Sequence, residues 1–202
     1  MYYHDQHNCL FRQNDLSSFL RGRFAILETE IKEWSFEKIN SAGEQSLVDE
    51  LLEKYTLHAP ILKENEIDID ARESEIEVPA SRVFNDERYY KISGLKISVR
   101  IPFKGDANFF NYRPSTYSIS GTPKADIERQ IIVLRYETAE KDPEKIKDIW
   151  KKDIKDIKQN LEWVGKDFTN FNTSLESNMK TLVFKRKKEA EENQSLINKI
   201  KN

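Results

Sequence analysis

Residues Trp150–Leu175 read WKKDIKDIKQNLEWVGKDFTNFNTSL. Apolar side chains recur at Trp150, Ile154, Ile157, Leu161, Val164, Phe168, Phe171 and Leu175, in alternating steps of four and three. On an α-helix these positions share one face. More than three heptads pass without a fault, which is the pattern of a coiled-coil seam, and Met179 and Leu182 prolong it. Asp142-Pro143-Glu144 supplies the start: an N-cap, a proline at the first helical position and an acid in the first turn. A continuous helix over 143–200 would be roughly 87 Å long. A compact chain of this size has a gyration radius of only roughly 17 Å. The helix is therefore expected to project, to fold back, or to break near Gly165 or within 169–174, a stretch poor in helix formers. Burying a side chain of this kind contributes roughly 1.5–3 kcal/mol, so the stripe must be covered. It either packs within the chain, on the sheet and on the Leu16–Trp34 helix, or serves self-association; the two can coexist, with 146–168 in the core and 171–200 reaching a partner.

The middle of the chain changes period. Ile67, Ile69 and Ala71, then Ile76 and Val78, alternate with Asp68, Asp70, Glu75 and Glu77, as half-buried strands do. Ile92–Ile101 alternates more cleanly, with Pro102 closing it. Ile131–Tyr136 is continuously apolar apart from Arg135, which suggests a central strand. Tyr112–Ser120 offers one more, demoted at its start by Pro114. Gly105-Asp106, Ser93-Gly94 and Gly121-Thr122-Pro123 read as turns.

The N-terminal zone returns to helix. Asp15 is a good N-cap, followed by Leu16, Phe19, Leu20, Phe24, Leu27, Ile31 and Trp34 at helical spacing. Ser41-Ala42-Gly43 interrupts, Leu47, Leu51, Leu52 and Tyr55 form a second stripe, and His58-Ala59-Pro60 ends it. The expected fold is α+β. It has an N-terminal helical pair, a small, mostly antiparallel sheet of four or five strands, and a long C-terminal helix or helical hairpin. Residues 1–140 would form the helix pair and sheet core, with 141–202 packed on that core.

Composition narrows the function. The 202 residues are 38% hydrophobic and 34% charged. Their mean hydropathy is −0.74. Eleven Phe, eight Tyr and three Trp argue against disorder. No apolar run approaches the ~18 residues of a membrane span. The 33 basic and 35 acidic side chains leave a net charge of −2, so overall charge does not point to nucleic acid. The halves differ mildly: 18 basic and 24 acidic in 1–140, 15 and 11 in 141–202. One cysteine, Cys9, excludes a disulfide framework and a Cys-x-x-Cys metal site. With no signal-peptide pattern at Met1–Asp5, the expected compartment is the cytoplasm.

No catalytic residue, cofactor site or metal site emerges. Glu64, Glu66, Asp68, Asp70, Glu73, Glu75 and Glu77 read as the solvated side of a strand, because a metal needs ligands converging from several elements. Asp126-Ile127-Glu128-Arg129 places acids near a strand but lacks the acid-x-Lys of metal-dependent nucleases, so a nuclease-like enzyme is the third-ranked function. His4 and His7 belong to a terminal segment and His58 to a turn, and there is no P-loop, Gly-x-Ser-x-Gly or Gly-x-Gly-x-x-Gly. Two stretches point to binding. Ile101–Tyr117 crowds five aromatics with Lys104 and Arg113, making Phe109, Phe110, Tyr112 and Arg113 the candidate partner-binding residues. The alternative to recognition there is a loop that plugs the open sheet face. Lys185, Arg186, Lys187 and Lys188 could touch phosphates, although Glu189, Glu191 and Glu192 partly neutralise them.

Ile101–Ser115 (IPFKGDANFFNYRPS), Ile131–Glu137 (IIVLRYE) and Ile157–Leu175 together resemble the N-terminal module of large bacterial anti-phage defence proteins. In those proteins a restriction-nuclease or TIR-type effector domain follows the module. The resemblance covers about 100–190. It implies an assembly or sensing role and carries over no catalytic residue. The first expectation is thus a non-enzymatic module that self-associates or binds a protein through its C-terminal helix, and the second a nucleic-acid-binding module.

Overall fold

The computed structural model describes residues 9–79, 89–118 and 122–201. His4, His7, Gly121 and the last two residues of the expected strand Tyr112–Ser120 lie outside them. In chain order the elements are β1 Asn14–Asp15, α1 Leu16–Lys32, α2 Phe36–Asn40, α3 Glu44–Tyr55, β2 Ile61–Leu62, β3 Asp68–Pro79, β4 Tyr89–Lys104, β5 Tyr112–Arg113, β6 Asp126–Glu128, β7 Ile131–Thr138 and α4 Pro143–Lys201. Short 3₁₀ turns lie at Glu64–Glu66 and Ala107–Asn111. The architecture is α+β, with a five-stranded sheet and one long C-terminal helix. Two compact units share the chain: Met1–Asn14 with Ala59–Val164, and Asp15–His58 with Gly165–Asn202. Each is discontinuous in sequence, and α4 contributes to both.

In the first unit β4 is the spine. It pairs antiparallel with β3 and β2 along one edge and with β7 along the other, and β6 closes beyond β7. Alternation sorts the two faces. Ile97, Val99 and Ile101 stand opposite Tyr136, Leu134 and Ile132, and all six are buried. Lys96 and Ser98 stand opposite Glu137 and Arg135 on the polar face, where Arg135 pairs with both Asp126 and Glu128. Val133 is buried on that same face, so β7 has covered side chains on both sides, as its apolar run suggested. Ile154, Ile157, Leu161 and Val164 of α4 are buried in this unit, and the Tyr136 hydroxyl donates to Asp153 Oδ2 at 2.8 Å. The expected N-cap is present: Asp142 Oδ1 accepts from Glu144 N at 3.0 Å.

Two strand expectations need correcting. Pro102 does not close β4, which runs on to Lys104. It falls in the gap between the β3 register, ending at Asp68 opposite Arg100, and the β2 register, starting at Leu62 opposite Phe103. On that edge its missing N–H removes no ladder bond. The acids of β3 do not share one side. Asp68 and Asp70 stand opposite Arg100 and Ser98, whereas Glu73, Glu75 and Glu77 stand opposite Leu95, Ser93 and Lys91 on the other face. The three-residue step from Asp70 to Glu73 reverses the parity.

In the second unit Asp15 caps α1, its Oδ1 accepting from Ser18 N at 2.8 Å, and Ser35 caps α2. Leu16, Leu27, Ile31, Ile39, Leu47, Val48, Leu51 and Tyr55 are buried, together with Phe168, Phe171, Leu175, Met179, Val183 and Ala190 of α4. The Asn172 side chain clamps a non-helical segment: Leu57 N donates to its Oδ1 at 3.1 Å, and its Nδ2 donates to Leu57 O at 2.9 Å.

That clamp bears on the expected break, because α4 is unbroken from Pro143 to Lys201. The weak helix formers are used within the helix. Thr169 and Thr173 hydroxyls donate to the carbonyls four residues back, and Asn172 serves Leu57. Burial of Phe168, Phe171 and Leu175 outweighs the local propensity. The heptad also gives way. After Phe171 the buried residues step by fours to Leu175, Met179 and Val183, leaving Leu182 half-buried. The 36 residue steps from Ile154 to Ala190 make ten turns of 3.6, the period of an α-helix that is not supercoiled.

Ser93-Gly94 is not a turn: both residues lie within β4, and Gly94 sits beneath Ile76 of β3. A Cβ there would meet Ile76 Cδ1 at 2.6 Å and the Thr138 carbonyl at 2.8 Å. Gly94→Ala is expected to cost about 1–3 kcal/mol in urea unfolding. Gly22→Ala, inside α1 with nothing within 4 Å of the new methyl, should instead add about 0.5–1 kcal/mol.

Candidate interaction surface

The aromatic stretch after β4 turns inward. Gly105 adopts φ +114° as the strand ends, and Asp106 Oδ1 accepts from Asn108 N at 2.9 Å to open the 3₁₀ turn. This aims Phe109 and Phe110 into the first unit, where both are buried. The Phe110 ring lies edge-on to Phe103 at 4.8 Å and tilted against Phe11 at 5.7 Å. Tyr112 is half-buried, and only Arg113 of the four candidates is exposed, its guanidinium 4.9 Å from the Tyr117 ring centre. The structure therefore does not gather Phe109, Phe110, Tyr112 and Arg113 on one surface.

The basic run is also divided. In the second unit Arg186 Nη2 donates to the Trp34 carbonyl at 2.6 Å, and Lys187 Nζ lies 3.3 Å from Glu44. Lys185 and Lys188 point outward, each 4.0 Å from a glutamate one turn on, Glu189 and Glu192. Successive helical residues are 100° apart, so four in a row cannot share a face.

What stays uncovered is the end of α4. Ala190 is the last buried residue. Beyond it Leu196, Ile197 and Ile200 are 57%, 42% and 84% exposed. The expectation that the whole of 171–200 reaches outward is thus corrected: Phe171, Leu175, Met179, Val183 and Ala190 are buried in the second unit, and beyond Ala190 the apolar residues are exposed, as Phe184 also is. The spacing of Leu196, Ile197 and Ile200 was readable as an apolar edge, but their exposure was not, because burial depends on where the facing helices end.

One polar cluster gave no sequence signal. The Tyr55 hydroxyl donates to Glu30, 25 residues away, and Lys54 Nζ sits 2.8 Å from the same carboxylate. Arg23 and Lys54 lie 5.0 Å and 5.4 Å from the Tyr55 ring centre. Burial, then the bond to Glu30 and its charge, push the Tyr55 phenol up to about 12. Burial acts to raise the Glu30 carboxyl, but bonds from Lys54 and Tyr55 outweigh it and hold the group below its ordinary value.

Asp126 and Glu128 are occupied by Arg135, and among the described residues no group of three or more His, Cys, Asp or Glu could hold a metal ion. Among the same residues no helix is long and apolar enough to cross a membrane. Comparison with family models, with curated proteins and with solved structures finds no match for the chain.

Phe110→Ala is expected to cost about 3–5 kcal/mol in chemical unfolding, whereas Arg113→Ala, losing an exposed cation–π contact, should cost about 1 kcal/mol or less. A raised phenol pKa stabilises the fold below the unfolded value and loses that contribution as pH climbs through the folded one. Stability should therefore fall between about pH 10 and about 12. Tyr55→Phe should flatten that decline, read as melting temperature against pH; an unchanged alkaline limb would remove Tyr55 as its source.

Proposed function

We propose that this chain is a non-enzymatic interaction module that self-associates through the last three turns of α4. The observation that carries the reading is the exposed cluster Leu196, Ile197 and Ile200, at the end of a helix whose apolar stripe is otherwise covered. Each such side chain would contribute roughly 1.5–3 kcal/mol if a second surface removed it from water. Exposed apolar groups clustered within two turns mark an association site more often than isolated ones do. The sequence resemblance to modules of bacterial anti-phage defence proteins suits an assembly component, and the reading takes the chain as such a component, acting in the cytoplasm.

The test is mass by light scattering over a wide concentration range. The chain should shift toward dimer as concentration rises. Ile197→Asp with Ile200→Asp should hold it at monomer mass with an unchanged melting temperature, because neither side chain belongs to the covered core. A wild-type chain that stays monomeric throughout would end the reading.

A further inference from the structure

Resting on that self-association, we infer that the occupant of the open surface is the same surface of a second copy, laid antiparallel, with Glu192 of each chain facing Lys199 of the other. The apolar edge and its flanking charges carry this. Glu189, Asn193, Leu196 and Ile200 follow one another by four, three and four, and so line one face of α4. Glu192 and Lys199 flank that face on one side, seven residues apart, and Ala190 and Ile197 flank it on the other. Ala190 is buried in its own unit, while Ile197, one heptad further, is uncovered, so the open edge continues a stripe the chain already covers.

Orientation follows from where the charges lie. Glu191 and Glu192 stand at the start of the exposed segment and Lys199 and Lys201 at its end. In a parallel pair each g position faces the e position five residues on, so Glu192 would meet Ile197 and no opposite-charge pair would form. An antiparallel pair about a two-fold axis matches acid to base. When Leu196 of one copy packs against Asn193 of the other, the heptad geometry brings Glu192 opposite Lys199 twice. Glu192 also has Lys188 at 4.0 Å within its own helix, an exposed contact that leaves the carboxylate on the surface. The interface is short and mixed, with Ile200 lying on the stem of Glu189, so the pair belongs to the weak, concentration-dependent class.

The test is a charge exchange in the full chain, with circular dichroism confirming that each variant folds. Glu192→Lys sets two lysines against each other across the pair, and Lys199→Glu sets two acids together. Each variant alone should therefore dimerise about tenfold more weakly than the wild type in sedimentation equilibrium. An equimolar mixture restores both opposite-charge pairs and should recover wild-type affinity as a heterodimer. A mixture no tighter than its components, with a wild type that dimerises and an Ile200→Asp variant that does not, would overturn the antiparallel register and leave self-association standing. A wild type that never dimerises would overturn both.

Discussion

A helix of 59 residues with an apolar stripe from Ile154 to Ala190 has to be covered along its whole length, and the rest of the chain is arranged by that need. In one unit β4 and β7 bury Ile97, Val99, Ile101, Ile132, Leu134 and Tyr136 on one sheet face, and Tyr136 reaches Asp153 of α4. In the other, helices bury residues that recur every three or four positions, and Arg186 of α4 reaches the Trp34 carbonyl. A strand face and a helix face both present apolar groups on one side only, so either can meet a helical stripe. This lets one uninterrupted helix serve two units of different secondary structure, at a mean period of 3.6 residues that needs no supercoil.

The polar groups follow the same logic. Arg135 holds Asp126 and Glu128 on the sheet face away from the apolar one, and Asn172 spends its amide on the Leu57 backbone. In the second unit Arg186 reaches the Trp34 carbonyl, while Tyr55, Glu30 and Lys54 close a small network. Each of these groups holds neighbouring segments in place. A carboxylate tied to an arginine or a lysine is poorly suited to moving protons or gathering a cation.

Much of the fold was legible because it rests on period. The helix start at Asp142-Pro143, the alternation in β4, the central run in β7 and the cap at Asp15 are local patterns with local causes. What misled was also local. The stretch Thr169–Ser174 is poor in helix formers, yet its hydroxyls and Asn172 find partners that keep the helix whole. The acids of β3 looked like one face until register separated them. Phe109 and Phe110 looked like a recognition loop because aromatic density reads the same whether a turn points outward or in. Their direction was decided by Asp106 closing on Asn108 and by the Phe103 and Phe11 rings, information a linear pattern does not hold.

Residues that draw notice in a sequence are those with strong chemistry, aromatics and runs of charge, and strong chemistry is what a small core uses to hold itself together. The aromatic segment and the basic run are each absorbed in part this way, Phe110 in ring packing and Arg186 in a carbonyl bond. Among the exposed apolar groups, which include Ile26, Ile61 and Phe184, Leu196, Ile197 and Ile200 lie together at the end of the chain's best-patterned element. On the proposed reading, a stripe that the chain covers for ten turns and then leaves open is an unfinished interface rather than a surplus one. An isolated amphipathic helix end of three turns is marginal in water, so contact with a second surface would order it as well as bury it. Were the segment to self-associate as proposed, binding and local helix stability would be coupled, and weakening either would weaken the other.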